Sequence, residues 1–250
     1  MKINGRLRIR TFSGWFFLLL FYSFLVFSCI TSAAKAEEYY ALGSGYLELK
    51  KYAEAENWFT KSKFHKSTKI ASEYNLGVIA YETGRYREAA SYFEQIVKLD
   101  MENITALKAA AYTCIKLDEL DKAAFYYQLV LNLLPESHDE GYNYAVVLMA
   151  MGKAEEAENV LVKYNNVENP KALLVLARSL KQQNKAEAAD AYNTCLLKND
   201  NPLIRIEYAS YLAEIGLTGE AEEEYRKAID KGNFSREKIE IIEKAIDLLK

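Results

Sequence analysis

The sequence predicts an all-α fold, a solenoid of six helical hairpins closed by a single C-terminal helix. Three observations predict it. Only three Pro and eleven Gly are spread over 250 residues, half of them hydrophobic. The chain therefore has few helix breakers and enough apolar surface for a substantial core. Two series of small residues recur at near-constant intervals. Between them apolar residues return at three- and four-residue spacing, the period of a helix with one buried face.

The small residues set the repeat. Ala55, Ala89, Ala123, Ala157, Ala189 and Ala221 are spaced by 34, 34, 34, 32 and 32 residues. Gly43, Gly77, Ala111, Ala145, Ala177 and Ala209 form a second series before them. Two antiparallel helices approach closely only where the facing side chains are small, so these positions mark the crossing within each hairpin. Large residues fill the space beside it. These are Leu42, Leu76, Tyr144 and Leu176 on first helices, and Phe59, Phe93, Tyr127 and Leu161 on second helices.

The N-terminus precedes this array and has a different character. Residues 1–36 contain no acidic side chain. Lys2, Arg6, Arg8 and Arg10 lead into an apolar run, and small residues with an Ala-x-Ala pattern at Ala34 and Ala36 follow. That is the layout of a secretory signal peptide. Three fates are open. Cleavage after Ala36 would release a body beginning at Glu37. Retention would leave residues 12–30, long enough to span a bilayer, as an anchor. Val26-Phe-Ser-Cys29 also approximates a lipobox, which would place a lipid on Cys29, with Phe27 bulkier than such boxes usually have. Each fate puts the body outside the cytoplasm, in the periplasm or cell envelope.

The repeats divide the rest of the chain. The body, 37–235, holds units at 36–69, 70–103, 104–137, 138–169, 170–201 and 202–235, and a capping helix covers 236–250. Short polar turns separate the two helices of each unit, at Lys50-Lys51, Gly84-Arg85, Asp118-Glu119, Gly152-Lys153, Asn184-Lys185 and Gly216-Leu217. Ser137-His-Asp-Glu140 reads as a capping box, and Asn169-Pro170 and Asn201-Pro202 as capped helix starts with Pro in the first turn. After Gly232, the residues Ile239, Ile242, Ala245, Ile246 and Leu249 form one apolar stripe. A single helix there covers the end of the stack.

Tyr39, Leu42, Gly43, Tyr46, Ala55 and Phe59 follow the pattern W-x₂-L-G-x₂-Y…A-x₃-F of the tetratricopeptide repeat family, with Tyr for Trp, and Pro135 stands at its closing Pro. The chain resembles that family from residue 36 to about 235. The match is closest in the first three units. Asn193 stands where a large aromatic is expected, and Thr218 where the second helix usually opens with an aromatic. The resemblance implies a right-handed solenoid whose first helices line a concave, peptide-binding groove. It places Tyr40, Ser44, Tyr74, Val78, Tyr81, Lys108, Tyr112, Tyr142, Val146 and Arg178 on that face. Tyr suits such a surface, because it offers a rigid apolar face and a polar tip. Packing between neighbouring first helices is the competing explanation for the same Tyr. Some family members grip a partner's terminal carboxylate with Lys and Asn from three consecutive first helices. Lys108, Asn143 and Lys171 fall at such positions. Tyr112 and Val175 replace two of the donors, with Arg178 one turn beyond Val175.

Chemistry-bearing motifs are otherwise missing. His65 and His138 have no metal-ligand spacing. Gly43-Ser-Gly45 lacks the third Gly and the preceding strand of a nucleotide loop. No catalytic, cofactor or metal site is expected. Removing residues 1–36 takes away five basic and no acidic groups, leaving 27 basic against 35 acidic residues. Such a body is not expected to bind nucleic acid, and membrane contact is expected only through residues 12–30 or a lipid on Cys29. Cys114 and Cys195 are expected as buried free thiols. Asn103-Ile-Thr105 and Asn233-Phe-Ser235 match the glycosylation triplet, relevant only in a eukaryotic source. Three functions follow: a non-catalytic interaction scaffold binding a peptide or protein, a lipid-anchored envelope assembly factor, and, most remotely, an enzyme.

Overall fold

A computed structural model describes residues 32–164 and 169–250. Among the described residues there is no strand. Residues 32–48 form α1. It is followed by α2 (Tyr52–Ser62), α3 (Lys69–Glu82), α4 (Tyr86–Leu99), α5 (Ile104–Lys116), α6 (Leu120–Leu133), α7 (His138–Ala150) and α8 (Ala154–Lys163). The remaining helices are α9 (Pro170–Gln182), α10 (Ala188–Lys198), α11 (Pro202–Glu214), α12 (Thr218–Lys231) and α13 (Arg236–Asp247). The chain divides into two compact units, one up to Leu117 and one from Asp118 to Lys250. The first holds α1–α5 and the second α6–α13.

Each expected turn contains one residue with a left-handed backbone: Lys50, Gly84, Asp118, Asn184, Gly152 and Gly216, with φ between 54° and 84°. At five of them the next amide reaches back five residues, as Arg85 N–H does to Ala80 O at 2.8 Å and Leu217 N–H to Leu212 O at 2.9 Å. This closes the helix C-terminus and reverses the chain. The stops are therefore written in the turn residues. Three are Gly, for which positive φ costs little, and two are Asn or Asp, which tolerate it.

The small-residue series lies at the helix crossings. Ala111, Ala145, Ala177 and Ala209 are fully buried, as are Ala55, Ala89, Ala123, Ala157 and Ala221. At Gly77 a Cβ would stand 2.7 Å from the Phe93 ring, so any side chain there must push α3 off α4.

The fifth repeat departs from the expected register. Ala188, not Ala189, is the fully buried alanine. Tyr192, not Asn193, then fills the aromatic position and is itself fully buried. The physical reason lies at the helix start. Ala188 N–H bonds to Lys185 O and Ala189 N–H to Ala186 O, both three residues back. This tighter winding covers the same arc with fewer residues, and the register slips by one.

Other expectations also change. Leu42 is 38% exposed, since no described hairpin precedes α1 to cover it. Ser137 starts α7, but its side chain makes no cap bond. Glu140 is instead buried at 2% exposure and accepts from Asn143 Nδ2 at 3.2 Å. Asn169 and Asn201 do cap α9 and α11, accepting from Lys171 N–H and Leu203 N–H. Ser235 caps α13. In α13, Ile242 and Ile246 pack with Ala209 and Tyr225, covering the last hairpin. Cys114 and Cys195 are both buried thiols, and Cys195 Sγ lies 3.2 Å from Pro170 O.

The boundary expected at Ala36 falls inside α1. Ala36 is 5% exposed, and its carbonyl accepts from the buried Ser62 Oγ at 2.9 Å. Cys29 and the apolar run 12–30 lie outside the described residues.

Candidate functional site

The first unit contains a cleft of about 500 Å³ between α3 and α5, with Phe93 of α4 at its floor. Tyr74, Val78, Tyr81 and Glu82 of α3 form one wall. Ile104, Thr105, Lys108, Ala109 and Tyr112 of α5 form the other. Helical spacing explains both walls. Residues 74, 78, 81 and 82 share one face of α3, and 104, 105, 108, 109 and 112 share one face of α5. The missing side chain at Gly77 lets Phe93 reach the floor.

The Tyr rings are held in place by packing. Tyr74 lies 5.5 Å from Phe93 and Tyr81 lies 5.4 Å from Tyr86, centroid to centroid. Burial pushes the Tyr74 hydroxyl above the usual tyrosine range, and the positive charge of Lys108 offsets part of that rise. Burial also raises Tyr81, with Tyr86, Glu82 and Tyr112 adding to it. These hydroxyls therefore stay protonated at neutral pH and can donate as well as accept. The walls are mostly apolar, with one ammonium at Lys108 and one carboxylate at Glu82. Such a cleft can hold an apolar or aromatic side chain flanked by polar backbone.

The structure thus gathers five of the expected groove residues, Tyr74, Val78, Tyr81, Lys108 and Tyr112, into one cleft. Tyr40 does something else. It packs edge-on against Phe59 at 5.5 Å, and its hydroxyl accepts from Asn75 Nδ2 at 3.2 Å, tying α1 to α3.

In the second unit, Tyr142 and Asn143 are half-buried on α7, and Lys171 is exposed in the first turn of α9. Val146 is 38% exposed, whereas Val175 is buried. Arg178 forms a bidentate pair with Glu207 of α11, Nε–Oε1 at 2.8 Å and Nη2–Oε2 at 2.7 Å. Tyr192 Oη donates to the same Glu207 at 2.7 Å. Arg178 is thus engaged within the repeat array. Of the three residues read as a carboxylate clamp, Lys108 belongs to the first unit, and Asn143 and Lys171 to the second.

Sequence reasoning missed Glu82, Phe93, Ile104, Thr105 and Ala109 as cleft residues. Ile104 and Thr105 lie one turn before Lys108, so the helical period could have found them. Phe93 was assigned to the core alone.

Comparison with known proteins agrees with the helical-repeat fold. The tetratricopeptide repeat family matches residues 72–103, the stretch that holds most of α3 and all of α4. An uncharacterized lipoprotein of Treponema pallidum (strain Nichols) is 25% identical over 171 residues, 66% of this chain and 87% of the relative. Among solved structures, the MamA protein is one neighbour, with a TM-score of 0.61 and 17% identity over 66% of this chain and 92% of that one. A tetratricopeptide repeat protein from Parabacteroides merdae ATCC 43184 has a TM-score of 0.61 and 18% identity, covering 86% of this chain and 99% of that one. YrrB, a tetratricopeptide repeat protein with an unusual peptide-binding site, has a TM-score of 0.59 and 18% identity over 69% of this chain and 91% of its own. At these identities the structural likeness speaks for the fold.

Proposed function

We propose that this chain, a tetratricopeptide repeat protein, is a non-catalytic interaction scaffold that works outside the cytoplasm and binds a peptide segment of a partner protein. The cleft of Tyr74, Tyr81, Lys108 and Tyr112 carries the reading. It is apolar enough to desolvate a side chain and polar enough to orient a peptide backbone. The peptide-binding site in the name of YrrB supports the same use of the fold.

A second reading is favoured by one finding. The lipoprotein relative supports membrane attachment through a lipid on Cys29 or through residues 12–30, and hence a role in envelope assembly. The two readings are compatible, since an anchored scaffold still needs a binding surface.

The test is a peptide selection against the full chain, followed by affinity measurements on the selected sequences. Tyr74→Ala and Tyr112→Ala should each weaken binding by roughly tenfold or more, the loss common at aromatic anchors. Unchanged affinity in both variants would move the binding surface elsewhere.

A further inference from the structure

We propose that the α2–α3 turn, at the end of the first unit where α1 begins, rests on the surface of an anionic lipid bilayer. The observations are local to that end. Residues 57–72 carry Lys61, Lys63, Lys66 and Lys69 and no acidic residue, in a body that is acidic as a whole. None of these four lysines is in an ion pair among the described residues. At the tip of the turn Phe64 is 83% exposed. A large exposed apolar side chain in a segment that carries four lysines matches a layer with charged heads above apolar tails.

Aromatic rings extend the patch. The rings of Tyr39 and Trp58 lie 5.5 Å apart, tilted by 35°. Lys61 Nζ lies 4.2 Å over the Trp58 ring, and Lys35 Nζ lies 5.8 Å over Tyr39. Trp and Tyr with lysines above them are amphipathic in the way that favours an interface between water and lipid. Glu37 is an acidic group that touches the turn, accepting from Ser67 Oγ at 2.8 Å.

The path of the chain decides the occupant. Ser62 Oγ bonds to Ala36 O, and Ser67 Oγ to Glu37, so the start of α1 is pinned beside this turn. The apolar run 12–30 ends two residues before Ser32, where α1 is first described. Two residues reach at most about 7 Å. If the run or a lipid on Cys29 is held in a bilayer, the basic aromatic end is the part of the body nearest to it. The expectation from net charge, that the body avoids anionic lipid, averages over a surface whose charge is uneven.

The inference rests on the reading that the chain stays attached to the membrane. The test is amide hydrogen exchange of the uncleaved full chain in nanodiscs of zwitterionic lipid and in discs containing phosphatidylglycerol. Amides of residues 62–69 should exchange several-fold more slowly in the anionic discs, while α3 and α4 stay unchanged. The slowing should be lost in Phe64→Ser and in Lys63→Glu/Lys66→Glu. Equal exchange in the two discs would overturn the proposal, even if the variants proved unstable. So would the same slowing on zwitterionic discs with inorganic polyphosphate added, which would make the turn a site for soluble polyanions. Attachment itself is judged separately, by the mass of the mature N-terminus in cells, so the two readings fail in different measurements.

Discussion

Arg178 shows how one side chain changes meaning between sequence and structure. On sequence it sits on the face expected to line a groove. In the fold, Glu207 binds it with two hydrogen bonds, and Tyr192 adds a third to the same carboxylate. Burial alone would raise the Glu207 carboxyl, but the bonds from Arg178 and Tyr192 outweigh it and hold the group below the usual carboxylate range. A carboxylate with a lowered folded pKa contributes stability above its unfolded pKa. That contribution is lost as pH falls through the lower folded value. Glu207→Gln should therefore cost about 1 kcal/mol at pH 7, a figure kept small because Arg178 is half exposed and screened by solvent. As pH falls below the ordinary glutamate range, about 4.3, the wild type and the variant should draw progressively together. Thermal unfolding followed by circular dichroism across that range checks it. A gap that stays constant with pH would assign the loss to packing and not to charge.

At the scale of the helix, the turns and crossings were the most legible features. All six turn positions expected from the sequence hold the left-handed residue that ends a first helix. Both small-residue series are buried, apart from the fifth unit's Ala189. The fifth unit was misread because strict spacing assumes that every second helix starts with the same winding. The tight turn at residues 185–189 breaks that assumption, and the clue was the misplaced Asn193 with Tyr192 beside it. The correction can be measured. Ala188→Leu should overpack the crossing of α9 and α10 and cost a few kcal/mol, roughly 1–3. Ala189→Leu, at a half-buried position, should cost less than about 1 kcal/mol. Equal losses in the two thermal midpoints would return the register to Ala189. The cleft was half legible. Tyr74, Tyr81, Lys108 and Tyr112 came from the groove face of the family, but its floor depends on Phe93 passing beneath Gly77, a contact between helices that no single-helix period encodes.

Across the whole chain, the unsettled boundary is where the leader ends and the body begins. The Ala-x-Ala pattern points to a cut after Ala36, because small residues suit a peptidase. The fold uses those same residues. Helix α1 includes 32–36, Ala36 is buried, and its carbonyl is the acceptor for Ser62 Oγ. Ser62 is fully buried, and water cannot easily replace that acceptor. A body starting at Glu37 would leave the hydroxyl unsatisfied, a loss of about 1–3 kcal/mol, besides the packing of Ala36 itself. A chain that keeps Ser32 onward, whether anchored by residues 12–30 or lipidated at Cys29, avoids this loss. We therefore expect the mature protein, isolated from membranes and analysed intact by mass spectrometry, to begin at or before Cys29. A lipid adduct on Cys29 would identify the lipoprotein, and an unmodified Met1 the retained anchor. Glu37 as the first residue would show that processing, and not the stability of α1, sets the boundary. In that event Ser62→Ala should stabilise the mature chain, because it removes a buried hydroxyl that has lost its partner.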